Sequence, residues 1–176
     1  MTLSNFAIRP EAPDHQSAID HLHAACFGPG RHVKAAFQVR EGTEPVRSLS
    51  FVALNGPGLI GSVRYTAITI GTTEAMLLGP LAVHPIYAGK GAGRALMRAS
   101  LEAAAAQFVS FVVLVGDLPY YEPFGFSQVA PGSIRFPAPV DPARVLAARP
   151  GGHQKALPSG AVAALSSVAE AYRDTA

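Results

Sequence analysis

The stretch Ala88-Gly89-Lys90-Gly91-Ala92-Gly93-Arg94 stands between an apolar, strand-like run ending at Val83 and an alanine-rich helical run from Gly93 to Phe108. Three alternating glycines at such a junction let the backbone turn sharply and approach a ligand closely. The free N–H groups at the helix start then converge on one point, where the helix dipole favours an anion. Lys90 and Arg94 add positive charge at the rim, so a diphosphate is the natural guest. Taken alone, the same turn also reads as a tight strand-to-helix connection with solvated basic side chains. Spacing narrows the choice. A P-loop ends in Gly-Lys followed by Ser or Thr, which is absent. A dinucleotide turn, and with it a nucleotide-dependent oxidoreductase, needs a third glycine where Arg94 stands. It also has no room for the spacer His84-Pro85-Ile86-Tyr87, although Asp117 mimics the ribose-binding acid.

Strand, glycine turn, helix and the apolar run Phe111–Val115 form a crossover unit whose two strands are parallel. The unbroken apolar character of Phe111–Val115 marks a strand buried on both faces. In the helix, Leu96, Ala99, Ala103 and Ala106 form the expected packing stripe, with Met97, Leu101 and Ala104 beside it. Upstream, Thr73–Val83 is a strand interrupted by Gly79-Pro80. Proline cannot donate to a ladder, and Leu81-Ala82-Val83 resumes the apolar run at once, so the pair predicts a bulge. Leu49–Leu54 and Leu59–Ile70 make a hairpin around Asn55-Gly56-Pro57-Gly58.

Phe6–Arg9 reads as a first strand ended by Pro10, and Asp14 to Phe27 as a helix with Ile19, Leu22, Ala25 and Cys26 on one stripe. Arg31 to Arg40 reads as a second, shorter helix after Gly28-Pro29-Gly30. Downstream, Phe126–Val129 and Ile134–Phe136 read as strands, and Val145–Ala148 and Ala161–Leu165 as late strands that pair with each other. Ser167 to Glu170 has capping-box spacing, so residues 166–176 form a tail helix or a frayed terminus. With 176 residues and no composition shift, one domain over 1–176 is expected.

Net charge is +2 with scattered basic residues, which argues against a nucleic-acid surface. Ala103 to Val115, the most apolar stretch, is too short to span a bilayer, and MTLSNFAIRP does not read as a signal peptide. A single cysteine, Cys26, allows no intrachain disulfide and suits the cytoplasm. The six histidines show no metal-site spacing; His21 and His23 should face different ways on their helix.

Read together, LLGPLAVHPIYAGKGAGRALM (Leu77–Met97) and YYEPFGF (Tyr120–Phe126) resemble the GNAT acetyltransferase superfamily, in particular a bacterial branch with mostly unassigned substrates. The resemblance implies an α/β (α+β) GNAT fold. Its central sheet is mixed and mostly antiparallel, with one splayed parallel pair of strands and helices on both faces. It implies an N-acetyltransferase using acetyl-CoA and an amine acceptor, without a metal, as a monomer or homodimer.

The family's pyrophosphate motif falls on Ala88, Gly89, Lys90, Gly91, Ala92, Gly93 and Arg94, with Ala88 departing from the usual Gln or Arg. The pantetheine arm is expected to enter the gap beside Leu81, Ala82 and Val83, opposite Phe111–Gly116. The amide of Val83 is expected to face the thioester oxygen, and Tyr121 to serve the leaving thiolate. Some relatives carry a basic glutamate at the position of Leu77, which cannot accept a proton. Glu74, His32, Asp117 and a water relay then remain as base candidates, with His84 read as structural. The acceptor wall is expected from Phe27–Phe37, the hairpin from Arg64 to Ile70, and the late strands. Arg31, His32 and Arg64 either favour a carboxylate-bearing amine or are ordinary surface residues. Leu77 and Ala88 leave one alternative open, a non-catalytic acetyl-CoA sensor.

Overall fold

The computed structural model describes residues 6–30, 34–152 and 155–165. Strands β1 (Ala7–Pro10), β2 (Phe51–Asn55), β3 (Gly58–Ile70) and β4 (Thr73–Val83) form an antiparallel meander. Helices α1 (Gln16–Phe27) and α2 (Ala35–Arg40) lie between β1 and β2 in sequence. Helix α3 (Ala92–Ala106) then carries the chain to β5 (Val112–Val115), which pairs parallel with β4. The short helix α4 (Leu118–Tyr121) precedes β6 (Ser127–Gln128), β7 (Ile134–Arg135), β8 (Val145–Ala148) and β9 (Gly160–Ala164). The sheet order is β1-β2-β3-β4-β5-β8-β6, with β9 beside β3 and β7.

The expected parallel pair is therefore present, and it is short. Met76 faces Val112 and Leu77 faces Val113, after which the strands part. The bulge is also where Pro80 pointed. Val63 pairs with Leu81 and Tyr65 with Leu78, so Gly79 and Pro80 together stand opposite Arg64. The two faces of β5 serve two cores. Val112 and Leu114 pack with α3, and Val113 with Val39 of α2, so helices cover opposite faces of the sheet.

β1 stops at Pro10, as expected, with Pro10 itself as its last residue, which an edge strand tolerates. Several expectations are corrected. The buried residues of α1 are Ile19, Leu22 and His23, whereas Ala25 is exposed. His23 is satisfied there by Ser62 Oγ at 3.0 Å, and His21 is exposed on another face, as its spacing predicted. The buried residues of α3 are Ala92, Leu96, Met97, Ser100 and Ala104; Leu96 is as expected, but Ala99 and Ala103 are half-buried and Ala106 is exposed, so the stripe shifts toward Met97 and Ala104. A serine is tolerated because Ser100 Oγ donates to Met97 O at 3.1 Å and receives the Tyr65 hydroxyl at 3.2 Å. The late strands do not pair with each other. β8 joins β5 and β6, and β9 joins β3 and β7. The expected tail helix lies outside the described residues. Among those residues no helix is long and apolar enough to cross a membrane.

Candidate active site

The glycine turn is open. After the 3-10 turn Pro85–Tyr87, Gly89 and Gly91 take φ of 74° and 91°, conformations that L side chains rarely adopt. No atom lies within 4 Å of a β-carbon built on either. Gly91 is the N-cap of α3 and brings no capping side chain. The Ala95 amide is the one that reaches Gly91 O, at 3.0 Å, so the amides of Ala92, Gly93 and Arg94 have no acceptor inside the helix. Arg94 is exposed, and Lys90 Nζ rests 5.3 Å from the Tyr87 ring. This is a cradle that fits a diphosphate: donors without partners, no side chain in the way, and cations at the edge.

The turn connects with the gap between β4 and β5. A β-carbon on Gly93 would stand 2.7 Å from the Tyr120 hydroxyl and 3.5 Å from Val83 Cγ2. Tyr120 and Val83 both line a cavity of about 620 Å³ that opens where the strands diverge. Its floor is Leu78 to Leu81 and Val83 of β4 and Leu114 to Asp117 after β5; Phe27, Phe37, Arg40 and residues 139–141 close the other side.

Ladder parity shows which amides face this gap. His84 N donates to Ile60 O at 2.8 Å, which makes Ala82 and Ser62 the next hydrogen-bonded pair. Ala82 therefore spends its amide on β3, whereas Leu81 and Val83 turn theirs toward the gap.

Tyr121 stands at the end of β5, its ring over Gly116 so closely that a β-carbon there would collide with it. Phe126 and Tyr120 meet its ring edge-on at 5.9 and 4.9 Å. Burial, then the neighbouring Tyr120 and Asp117, push its phenol up to about 12, against the pull of Arg144 and Arg40. It is protonated at any ordinary pH. Tyr120 also lines the cavity. Its phenol is raised by burial and partly lowered by Arg94.

Leu77, at the position where some relatives carry a glutamate, is fully buried, as an apolar residue there should be. Of the base candidates, Glu74 pairs with Thr69 far down the hairpin and does not line the cavity. His32, like Arg31, lies outside the described residues. Asp117 does line the cavity and is held by Arg144 Nε at 3.1 Å. His84 accepts from Ile86 N at 3.4 Å, in keeping with a structural role. Arg64 does not line the cavity. It grips the buried Glu11 through Nε at 2.9 Å and Nη2 at 2.8 Å. The β3–β4 hairpin and the late strands likewise give way to residues 139–141 and Arg144. Sequence pattern missed Arg40 altogether, because nothing in AAFQVR separates a cavity arginine from an exposed helix end.

Among the described residues no group of histidine, cysteine, aspartate and glutamate could hold a metal ion.

The chain matches the family model for an acetyltransferase (GNAT) domain over residues 47–128. It is 30% identical to the uncharacterized N-acetyltransferase YhbS of Escherichia coli K12, over 73% of this chain and 77% of that protein. The crystal structure of E. coli YhbS in complex with CoA superposes with a TM-score of 0.77 at 25% identity, covering 92% of this chain and 90% of that one. A GNAT family acetyltransferase from Brucella melitensis in complex with acetyl-CoA gives a TM-score of 0.68 at 25% identity, covering 92% and 96%.

Proposed function

The chain belongs to the GNAT acetyltransferase family, and on that premise we propose that it transfers the acetyl group of acetyl-CoA to an amine of a small molecule or peptide by direct attack. The observation that carries the reading is a run of backbone donors that have no partner among the described residues. Ala92, Gly93 and Arg94 supply it at the helix start, and Val83 and Leu81 continue it into the cavity.

In this reading the loop from Ala88 to Gly93 receives the diphosphate on backbone N–H groups, with Lys90 and Arg94 at its rim. Ala88 gives up the extra contact of a longer polar side chain, which weakens binding modestly. The pantetheine arm lies along Val83 and Leu81, with Ala82 fixing the strand to β3. Gly116, against which the Tyr121 ring packs, is three residues past Val113, the last residue paired with β4, and Pro80 is three past Leu77; this count supports pairing Tyr121 with Leu81 rather than Val83. The Leu81 amide is therefore the better donor to the thioester oxygen as negative charge grows on it.

The neutral amine forms the new C–N bond, the C–S bond breaks, and sulfur leaves with the electron pair. Tyr121 then faces a thiolate. A free thiol titrates at about 8.5, roughly 3.5 units below this phenol, so full proton transfer would be uphill by about 5 kcal/mol. Tyr121 serves by donating a hydrogen bond to the departing sulfur, and the amine's proton passes to water at the cavity mouth, beside Asp117. The lone thiol of Cys26 suits a reducing compartment such as the cytoplasm.

Purified protein with acetyl-CoA and a panel of amines, followed as free thiol, tests the proposal. Thiol release that depends on the amine supports it. CoA binding by calorimetry with no release from any amine would instead mark a sensor.

A further inference from the structure

The most deeply placed cation of the cavity, Arg40, has no counterion among the described residues. Arg40 ends α2 and reaches inward to the point where β4 and β5 part. Its Nη2 makes a long 3.4 Å contact to Leu78 O and would stand 2.8 Å from a β-carbon on Gly79. Its guanidinium lies 5.4 Å from the Phe37 ring centroid. Its Nε is buried and has no hydrogen-bond partner among the described residues. Both carboxylates that line the cavity are engaged elsewhere. Asp117 holds Arg144 Nε at 3.1 Å, and Asp141 Oδ1 accepts from Ala143 N at 3.0 Å. No carboxylate of the described residues comes within ion-pair distance of Arg40.

A charge this deep is normally paired, because desolvation alone is costly. Burial lowers the guanidinium from 12.5 to about 9, the direction expected when no anion supports it. The residue is nonetheless partly accessible, and it lines the cavity. Its place along the strand says which ligand it serves. Leu78 is on the far side of Leu81 from the glycine turn, two ladder steps away across the bulge, or about 7 Å. That is beyond the thioester, where the acceptor's body must sit.

We propose that the acceptor is a compact amine carrying a carboxylate a few atoms from its nitrogen, and that Arg40 receives that carboxylate. One buried guanidinium balances one negative charge, and its planar fork matches the two oxygens of a carboxylate. A phosphate dianion would bring a second charge with no cation of equal depth to meet it. The assignment rests on the acetyl-transfer reading above and adds the substrate class.

The test is acetyl-CoA-dependent thiol release with α-amino acids, β-alanine and γ-aminobutyrate, each set against its own amide. The wild type should prefer the carboxylate members. Arg40→Gln should raise KM for them about 10- to 100-fold, as loss of a charge-assisted pair does. Its effect on the amides' kcat/KM should be at least several-fold smaller than its effect on the acids', and Arg40→Lys should recover part of the acids' loss. Equal turnover of acids and amides by the wild type overturns the proposal, as does turnover confined to amides. So does an Arg40→Gln variant that slows both classes alike with a shifted pH profile, which would mean that the guanidinium serves Tyr121 or the bulge. The two readings fail separately: absence of thiol release from every amine, acid or amide, counts against acetyl transfer itself. If Arg40→Gln does not fold, the wild-type preference still decides.

Discussion

The ring of Tyr121 rests against the bare Cα of Gly116, leaving no room for a single methyl group between them. Gly116 closes β5 and Tyr121 closes α4, so this contact sets how far the phenol reaches into the gap. Gly116→Ala should push the ring aside. The effect expected is a fall in kcat of about 10-fold or more, since small misplacements of a reacting group are costly. Tyr121→Phe should do the same by removing the hydroxyl. Both variants should bind CoA as the wild type does, because neither touches the glycine turn. Steady-state kinetics beside calorimetry reads both halves, and unchanged turnover in Tyr121→Phe would remove the phenol from the mechanism.

The pH behaviour follows from the direction of the Tyr121 shift. A phenol held up at about 12 remains a donor across the working range. The rate should therefore climb with pH as the amine loses its proton, with no falling limb from Tyr121 below pH 10. Stability has its own sign. The folded value lies above the ordinary 10, so this group's contribution is intact below pH 10 and is lost as pH rises through 12. Tyr65 is raised in the same direction by burial. Between pH 10 and 12 the unfolding midpoint of Tyr121→Phe should therefore fall less, or rise more, than that of the wild type; Tyr65 and Tyr120, raised by burial, contribute in the same direction as Tyr121, and Arg40, lowered by burial, in the opposite one.

At the glycine turn, two substitutions separate strain from charge. Gly91 has a φ of 91° and open space around its α-carbon. Gly91→Ala meets no atom but is strained, and should lower stability by about 1 kcal/mol with a small loss in CoA affinity. Gly91→Glu adds the same strain and sets a carboxylate against the diphosphate, so its affinity for CoA should drop by more than 10-fold. Calorimetry on the two variants distinguishes them. Equal affinities in Ala and Glu would mean that the phosphates lie elsewhere.

Glu11 is tied to Arg64 by two short bonds and to Arg47 at 3.7 Å, with no exposure of its own side chain. Removing one partner of such a buried pair leaves a charge without compensation. Glu11→Ala should cost about 3–5 kcal/mol in urea unfolding. Variants that still fold should keep the acceptor KM, since none of Glu11, Arg47 and Arg64 lines the cavity.

That network shows where sequence reading stops. The bulge and the glycine turn were legible because proline and glycine act locally, through a missing donor and a permitted φ. The buried β5 was legible because four apolar residues in a row leave few alternatives. Glu11, Arg64 and Arg40 were not. Each owes its role to a partner, or to the lack of one, brought together by the sheet over tens of residues, and a charged side chain carries no periodic mark of that. Ser100 illustrates the same limit inside a helix. Its place in the buried stripe depends on Tyr65, 35 residues away. The pairing of β8 and β9 was misread for a related reason, since both strands are short and their neighbours are set by β5 and β3.

Arg40 also links function to stability. Among the described residues, the guanidinium beside Leu78 and Gly79 is supported by a ring face and a long carbonyl contact, so its burial should cost the free protein stability. Arg40→Met retains the length of the stem and removes the charge. Replacing an unpaired buried ion by an apolar side chain of similar size should raise stability, by about 1–2 kcal/mol. Cavity contact with water and the Phe37 ring offset part of the cost, which keeps the expected gain below that of a fully dry site. The same substitution should impair acetylation of a carboxylate acceptor, so the variant gains in Tm what it loses in kcat/KM. Thermal unfolding with and without CoA measures the first, and thiol release the second. A variant less stable than the wild type would show instead that the guanidinium holds the bulge in place.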